Sequence, residues 1–112
     1  MVRHSGSVCV LDLQGSLSIG PGLSTLSNQA KALLASGSPS ALVLNLESIS
    51  SVDSAGLGEL MNVYSVTAKQ SCKLVVASPA PQVRNLLQFT QVDRLIPCFF
   101  NERSALAMLS KK

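Results

Sequence analysis

Leu42-Val-Leu-Asn-Leu-Glu-Ser-Ile-Ser-Ser-Val-Asp-Ser-Ala-Gly-Leu-Gly-Glu-Leu60 decides the fold. It begins inside Ala41-Leu-Val-Leu-Asn-Leu46, a nearly continuous apolar run. Such a run fits a central strand covered on both faces. Ile49 and Val52 carry the apolar signal on to Asp53. From Ser54 the period changes. Leu57, Leu60, Met61, Tyr64 and Ala68 recur at helical spacing and predict an amphipathic helix. The stretch is therefore a buried strand, a short loop, and Asp53-Ser54-Ala55-Gly56-Leu57-Gly58 at the start of a helix.

Upstream, Val8-Cys-Val-Leu-Asp-Leu13 reads as a strand. After Gly15, Ser16-Leu-Ser-Ile19 is expected to add a second short strand, before Gly20-Pro-Gly22 breaks the chain. Leu23, Leu26, Ala30, Leu33 and Leu34 place a helix from Leu23 to about Ser36, stopped by Gly37-Ser-Pro39. Downstream, Lys73-Leu-Val-Val-Ala77 is the next strand. Ser78-Pro-Ala-Pro81 turns into a helix with Pro81 in its first turn and Val83, Leu86, Leu87 and Thr90 facing inward. Leu95-Ile-Pro-Cys-Phe-Phe100 predicts a last short strand, at an edge because of Pro97. Ser104 to Leu109 closes the chain as a helix, with Ser104 as its expected cap. Strands alternating with helices imply an α/β fold, a mixed or parallel sheet with helices packed on it.

The chain has 112 residues, enough for one domain with its own core, and nothing divides it into two. It is 46% hydrophobic and only 13% charged, against about 25% in ordinary soluble domains. That excludes a disordered chain and suggests a bland surface that a partner can meet. The net charge of +3 comes largely from the ends, at Arg3 and Lys111-Lys112. There is no basic stripe, so a nucleic-acid partner is not expected. No apolar run reaches the ~20 residues of a membrane span, and the first residues do not read as a signal peptide. Cys9, Cys72 and Cys98 are far apart and form no CxxC pair. The three give neither a disulfide framework nor a zinc site, and Cys9 and Cys72, in or beside apolar segments, read as small core residues of a reducing cytoplasm.

The quoted stretch resembles the signature of STAS domains in bacterial anti-sigma-factor antagonists. The turn Gly15-Ser-Leu-Ser18, the strand Lys73 to Ala77, the helix Pro81-Gln-Val-Arg-Asn-Leu-Leu87 and the closing strand and helix fit the same pattern, so the likeness covers roughly residues 8 to 109. It implies the STAS fold: a mixed sheet of four to five strands, with four helices packed mainly on one side. It also implies a mechanism. The unphosphorylated antagonist binds an anti-sigma factor that is a serine kinase and so frees a sigma factor. Phosphorylation of the Ser after the motif Asp releases it, and a phosphatase resets the switch. The matching residue is Ser54, preceded by Asp53. The implied partner surface comprises Asp53, Ser54, Ala55, Gly56, Leu57 and Gly58, with Ser16 and Ser18 at the same end of the sheet and the turn Ser78–Pro81 beside them. Two positions depart from the pattern. Ala55 stands where a second hydroxyl often follows the Ser, and Ser18 stands where many members carry an acidic residue.

A phosphate at a helix start meets backbone N–H groups and the positive end of the dipole, and it adds about −1.5 to −2 charge to a docking surface. Competing readings are plainer. Asp53 and Ser54 can serve only as helix caps. A STAS subunit of a larger signalling or transport-associated complex needs no phospho-switch. A small hydrolase using Ser54 would need a base, but the sole His, His4, lies near a terminus read as loose, and the GxSxG elbow is absent. No catalytic residue is therefore assigned. Glu47 and Glu59 read as solvated residues on a loop and a helix face, so no metal site is assigned. No phosphate-binding Gly loop is present, and no cofactor is expected. Of Phe99 and Phe100, strand alternation turns one inward.

Overall fold

The computed structural model describes residues 2–17, 25–37 and 39–110. Among them run β1 (Val2–Ser5), β2 (Val8–Leu17), α1 (Thr25–Gly37), β3 (Ala41–Val52), α2 (Ser54–Lys69), β4 (Lys73–Ala77), α3 (Pro81–Phe89), a 3-10 turn (Val92–Arg94), β5 (Cys98–Phe99) and α4 (Glu102–Ser110). The sheet order is β1-β2-β3-β4-β5. β1 pairs antiparallel with β2, and every later pair is parallel. The sheet is thus mixed and five-stranded.

Alternation along the strands builds two cores. Cys9 and Leu11 of β2, Leu42, Leu44 and Leu46 of β3, and Leu74 and Val76 of β4 face one layer, with Leu26, Ala30 and Leu34 of α1, Leu60 and Val63 of α2, and Val83 and Leu87 of α3. Val8, Val10, Ala41, Val43, Val75 and Ala77 face the other, under Ala105 and Leu106 of α4. Both sheet faces are covered, which is why β3 reads as an unbroken apolar run. Three helices lie on one face and α4 alone on the other.

Several elements differ from the sequence reading. Val2-Arg-His-Ser5 forms a strand, paired Val2↔Leu11 to Ser5↔Val8. Its polar residues carry no strand signal, and it exists by pairing with β2. His4 is therefore held, opposite Cys9, with Nδ1 3.4 Å from the Cys9 sulfur. Ser16 and Leu17 do not begin a separate strand. β2 runs through them to Leu17, with register shifts either side of Gln14–Gly15 and Gly15 at φ 92°. Ile19 and Leu23 fall outside the described residues. Leu95 and Ile96 close the 3-10 turn, so β5 is only Cys98–Phe99. α4 starts earlier than expected and is capped by Asn101, whose Oδ1 accepts from the Ser104 N–H at 2.8 Å. On α2 the buried line is Gly56, Leu60, Val63 and Thr67, and Ala68 is exposed. Thr90 is exposed too, its hydroxyl donating to the Leu86 carbonyl at 2.7 Å.

Arg3 ties the sheet to α4. Its guanidinium grips Asp12 at 2.5 and 2.7 Å and reaches the Glu102 carboxylate, to which Asn45 also donates at 3.0 Å. The Arg3 hydrogen bonds hold both carboxyls below their ordinary range.

Candidate docking site at the start of α2

β2 and β3 finish together. Ser16 pairs with Ser51 and Leu17 with Val52, and the Asp53 N–H donates to the Leu17 carbonyl at 3.0 Å. The chain then turns sharply into α2. Asp53 is the N-cap: its backbone is extended (φ −102°, ψ −175°) and its Oδ1 accepts from the Gly56 N–H at 2.8 Å. Its carbonyl takes the Leu57 N–H at 2.9 Å. An Asp in this place satisfies donors that the first helical turn otherwise leaves without partners. The capping role thus falls to Asp53, and Ser54 becomes the first helical residue, with its side chain exposed.

The two glycines differ. Gly56 is buried against Leu17, where a Cβ would come 2.7 Å from the carbonyl carbon and 2.9 Å from the Leu17 Cβ. Its smallness serves the chain's own packing, whereas the sequence reading gave it to a partner. Gly58 is exposed, with nothing within 4 Å of a Cβ placed there. Ala55 and Leu57 are half-buried. Ser54 and Gly58, one turn apart, are the open ground of the site.

Of the other residues named from sequence, Ser16 is exposed at the same end of the sheet, opposite Ser51. Ser18 lies outside the described residues. The Gln82 side chain donates to the Ser50 carbonyl at 3.1 Å, so the first turn of α3 stands beside the last residues of β3. The turn before it holds Ser78 at φ 56°, its N–H donating to the Phe99 carbonyl at 3.0 Å.

Glu59 is a residue the sequence reading missed. It is 5% exposed, not solvated. Its Oε2 accepts from the Ser27 N–H in the first turn of α1 at 2.8 Å, and its Oε1 takes the Asn62 amide at 3.4 Å. A carboxylate on α2 therefore caps the start of α1. Only the spatial partner reveals this, since a Glu within a helix ordinarily signals a wet face. His4 is at the far end of the sheet: its partner Cys9 pairs with Leu42 at the start of β3, while Ser54 follows the end of β3. The imidazole therefore stands away from the Ser54 hydroxyl. Among the described residues, no three of His, Cys, Asp and Glu gather to hold a metal ion, and no helix is long and apolar enough to cross a membrane.

A family model for the STAS domain matches residues 1–105. An anti-sigma F factor antagonist of Paenibacillus polymyxa is 29% identical over 68 residues, a match spanning 61% of this chain and 58% of that protein, so less than two thirds of that relative's length is covered. An anti-sigma factor antagonist from Mycobacterium paratuberculosis has a similar structure, with a TM-score of 0.83 and 25% identity over 99% of this chain and 92% of that one. The STAS domain of a SulP transporter from Vibrio cholerae is similar with a TM-score of 0.78 over 96% of this chain and 84% of that one. At 17% identity the latter likeness is one of fold alone.

Proposed function

The chain belongs to the STAS-domain family, and on that premise we propose that it is an anti-sigma-factor antagonist, a binding module without catalytic chemistry of its own. Unphosphorylated, it docks a kinase-type anti-sigma factor through Ser54, Gly58 and their neighbours and frees a sigma factor. Phosphorylation of Ser54 releases it, and a phosphatase resets it. This assigns the protein to the cytoplasm. The observation that carries the reading is the exposed Ser54 hydroxyl on the first turn of α2, with the backbone behind it fixed by Asp53 and Gly56.

The switch acts on the partner more than on the fold. A phosphate at Ser54 meets the positive end of α2 on one side and the Asp53 carboxylate on the other. Those effects oppose one another within this chain. A docked partner instead receives an uncompensated charge, which costs about 2–5 kcal/mol in an interface. That loosens binding by more than about tenfold.

Wild type, Ser54→Ala and Ser54→Asp are used as baits in native bacterial lysate, with captured proteins identified by mass spectrometry and Ser54 checked for phosphate. A kinase-type anti-sigma factor is expected on wild type and Ser54→Ala and lost on Ser54→Asp. One partner kept equally by all three baits, with no phosphate on Ser54, would replace this reading with the second one. That alternative is a constitutive STAS subunit of a larger signalling or transport-associated complex. Ala55 favours it, standing where phosphorylated members often carry a second hydroxyl.

A further inference from the structure

β5 pairs with β4 only at Val76↔Cys98 and Ala77↔Phe99. The first half of β4 therefore has no strand on its outer side among the described residues. The ladder fixes where its backbone points. The Lys73 N–H donates inward, to the Ser40 carbonyl at 3.1 Å. The Val76 and Ser78 N–H groups donate outward, to the Pro97 and Phe99 carbonyls at 2.9 and 3.0 Å. Alternation along the strand turns the N–H and C=O of Leu74 outward as well. The next rung would need an N–H from Pro97, which has none, and a carbonyl from Leu95, whose segment instead closes the 3-10 turn onto Val92. Leu74 thus presents a donor and an acceptor with no partner among the described residues, although it is only 5% exposed.

They open onto a groove of about 350 Å³, walled by Tyr64 and Ala68 of α2, Leu95, and Met108 of α4. Leu95 and Met108 stand 49% and 48% exposed at its rim. Among the described residues Lys73 is the only charged one lining it, and Lys69 is exposed one residue beyond Ala68. We infer that this groove takes an extended peptide segment of a partner protein, apolar at alternate positions and acidic at the end beside Lys73. The backbone of that segment fills the missing rung at Leu74. Its alternate side chains meet the α2 and α4 walls, and its carboxylate meets the lysines. The groove lies at the end of α2 opposite Ser54, across a helix of 16 residues, so the inference does not depend on the proposed switch.

The test uses the full chain, labelled with nitrogen-15, and an N-acetylated, C-amidated probe of sequence Glu-Val-Ile-Val-Glu. The Leu74 amide should shift saturably and exchange with solvent about fivefold more slowly in the complex, the factor one net hydrogen bond supplies. Lys73→Glu should weaken this probe and favour its lysine-flanked counterpart. Ala68→Trp, at an exposed helix position, should fill the groove and abolish the response while the spectrum stays dispersed. The inference is overturned if the Leu74 amide ignores the probe, or if it is already as protected as Val76 in the free chain. It is equally overturned if Ala68→Trp binds as well as wild type. A response that follows the chain's own concentration without probe would assign the groove to a second copy and overturn it too.

Discussion

A Cβ built at Gly56 would fall 2.7 Å from the Leu17 carbonyl carbon, whereas one built at Gly58 meets nothing within 4 Å. The two positions therefore answer the same substitution in opposite senses. Gly56→Ala must push β2 and α2 apart and should destabilise by about 1–3 kcal/mol, as overpacking does. Gly58→Ala relieves the backbone entropy of a helix-interior glycine and should stabilise by up to about 1 kcal/mol. Urea unfolding of the two variants checks this, and equal midpoints would show that the Leu17 contact is not tight. At the cap, Asp53→Ala should cost about 1 kcal/mol while Asp53→Asn keeps most of it, because either side-chain oxygen can accept from Gly56. Ser54→Asp sets a favourable helix-dipole term of about 0.3–1 kcal/mol against repulsion from Asp53. Its unfolding free energy should stay within about 0.5 kcal/mol of wild type. A larger loss would mean that a charge at Ser54 displaces the Asp53 cap, and the switch would then act through this chain's own helix.

The elements that could be read in the sequence are those whose own side chains carry the signal. β3 is apolar on both faces, and α1 keeps Leu26, Ala30 and Leu34 on one stripe, so both were legible. β1 was not, because Arg3 and His4 say nothing of a strand until the Arg3 guanidinium meets Asp12 and His4 stands opposite Cys9. Of the candidate site, the helix start at Asp53–Ser54 was legible, but the roles of Gly56 and Glu59 depend on Leu17 and Ser27, distant in sequence. These tertiary ties are testable. Glu59→Ala leaves the buried Ser27 N–H without its carboxylate and should cost about 1–3 kcal/mol. Glu59→Gln, which retains an accepting oxygen, should recover much of that. Hydrogen exchange should place the change in α1. The Arg3 grip adds a pH dependence. Asp12 and Glu102 are held below the ordinary carboxylate range chiefly by their hydrogen bonds to Arg3. Their contribution is complete above the unfolded values of about 4 and is lost as pH falls through the lowered folded values. The urea midpoints of wild type and Arg3→Ala should therefore differ at neutral pH and draw together as pH falls below the unfolded values of about 4 and on through the lowered folded ones. The gap should also narrow in concentrated salt, since these groups are partly exposed. A gap that persists in acid would show that Arg3 acts by packing its stem, not by its charge.

At the scale of the whole molecule, the two faces of the sheet are unequally loaded. α1, α2 and α3 bury one face through Leu26, Leu60, Val63, Val83 and Leu87, while α4 covers the other with Ala105 and the half-buried Leu106 and Leu109. Regions with few buried apolar contacts open at lower free energy than the global transition. Amides of α4, such as those of Leu106 and Leu109, should therefore exchange through a smaller opening than those of Leu44 or Val75. The Glu102→Gln variant should lower the α4 value further, because it weakens the Arg3 link, and leave the Leu44 and Val75 values nearly unchanged. This arrangement separates the two surfaces dynamically. Ser54 is mounted on α2, clamped between Leu17 and the α1 cap, whereas the Leu74 groove has one wall, Met108, on α4, the helix expected to open first. A rigid platform suits a modification that must be sensed without refolding the chain. A wall that opens locally suits the admission of an extended segment. Native-state exchange decides the matter: if α4 and the central strands exchange with one common free energy and respond together to Glu102→Gln, the molecule opens as a single unit and no such division of labour exists.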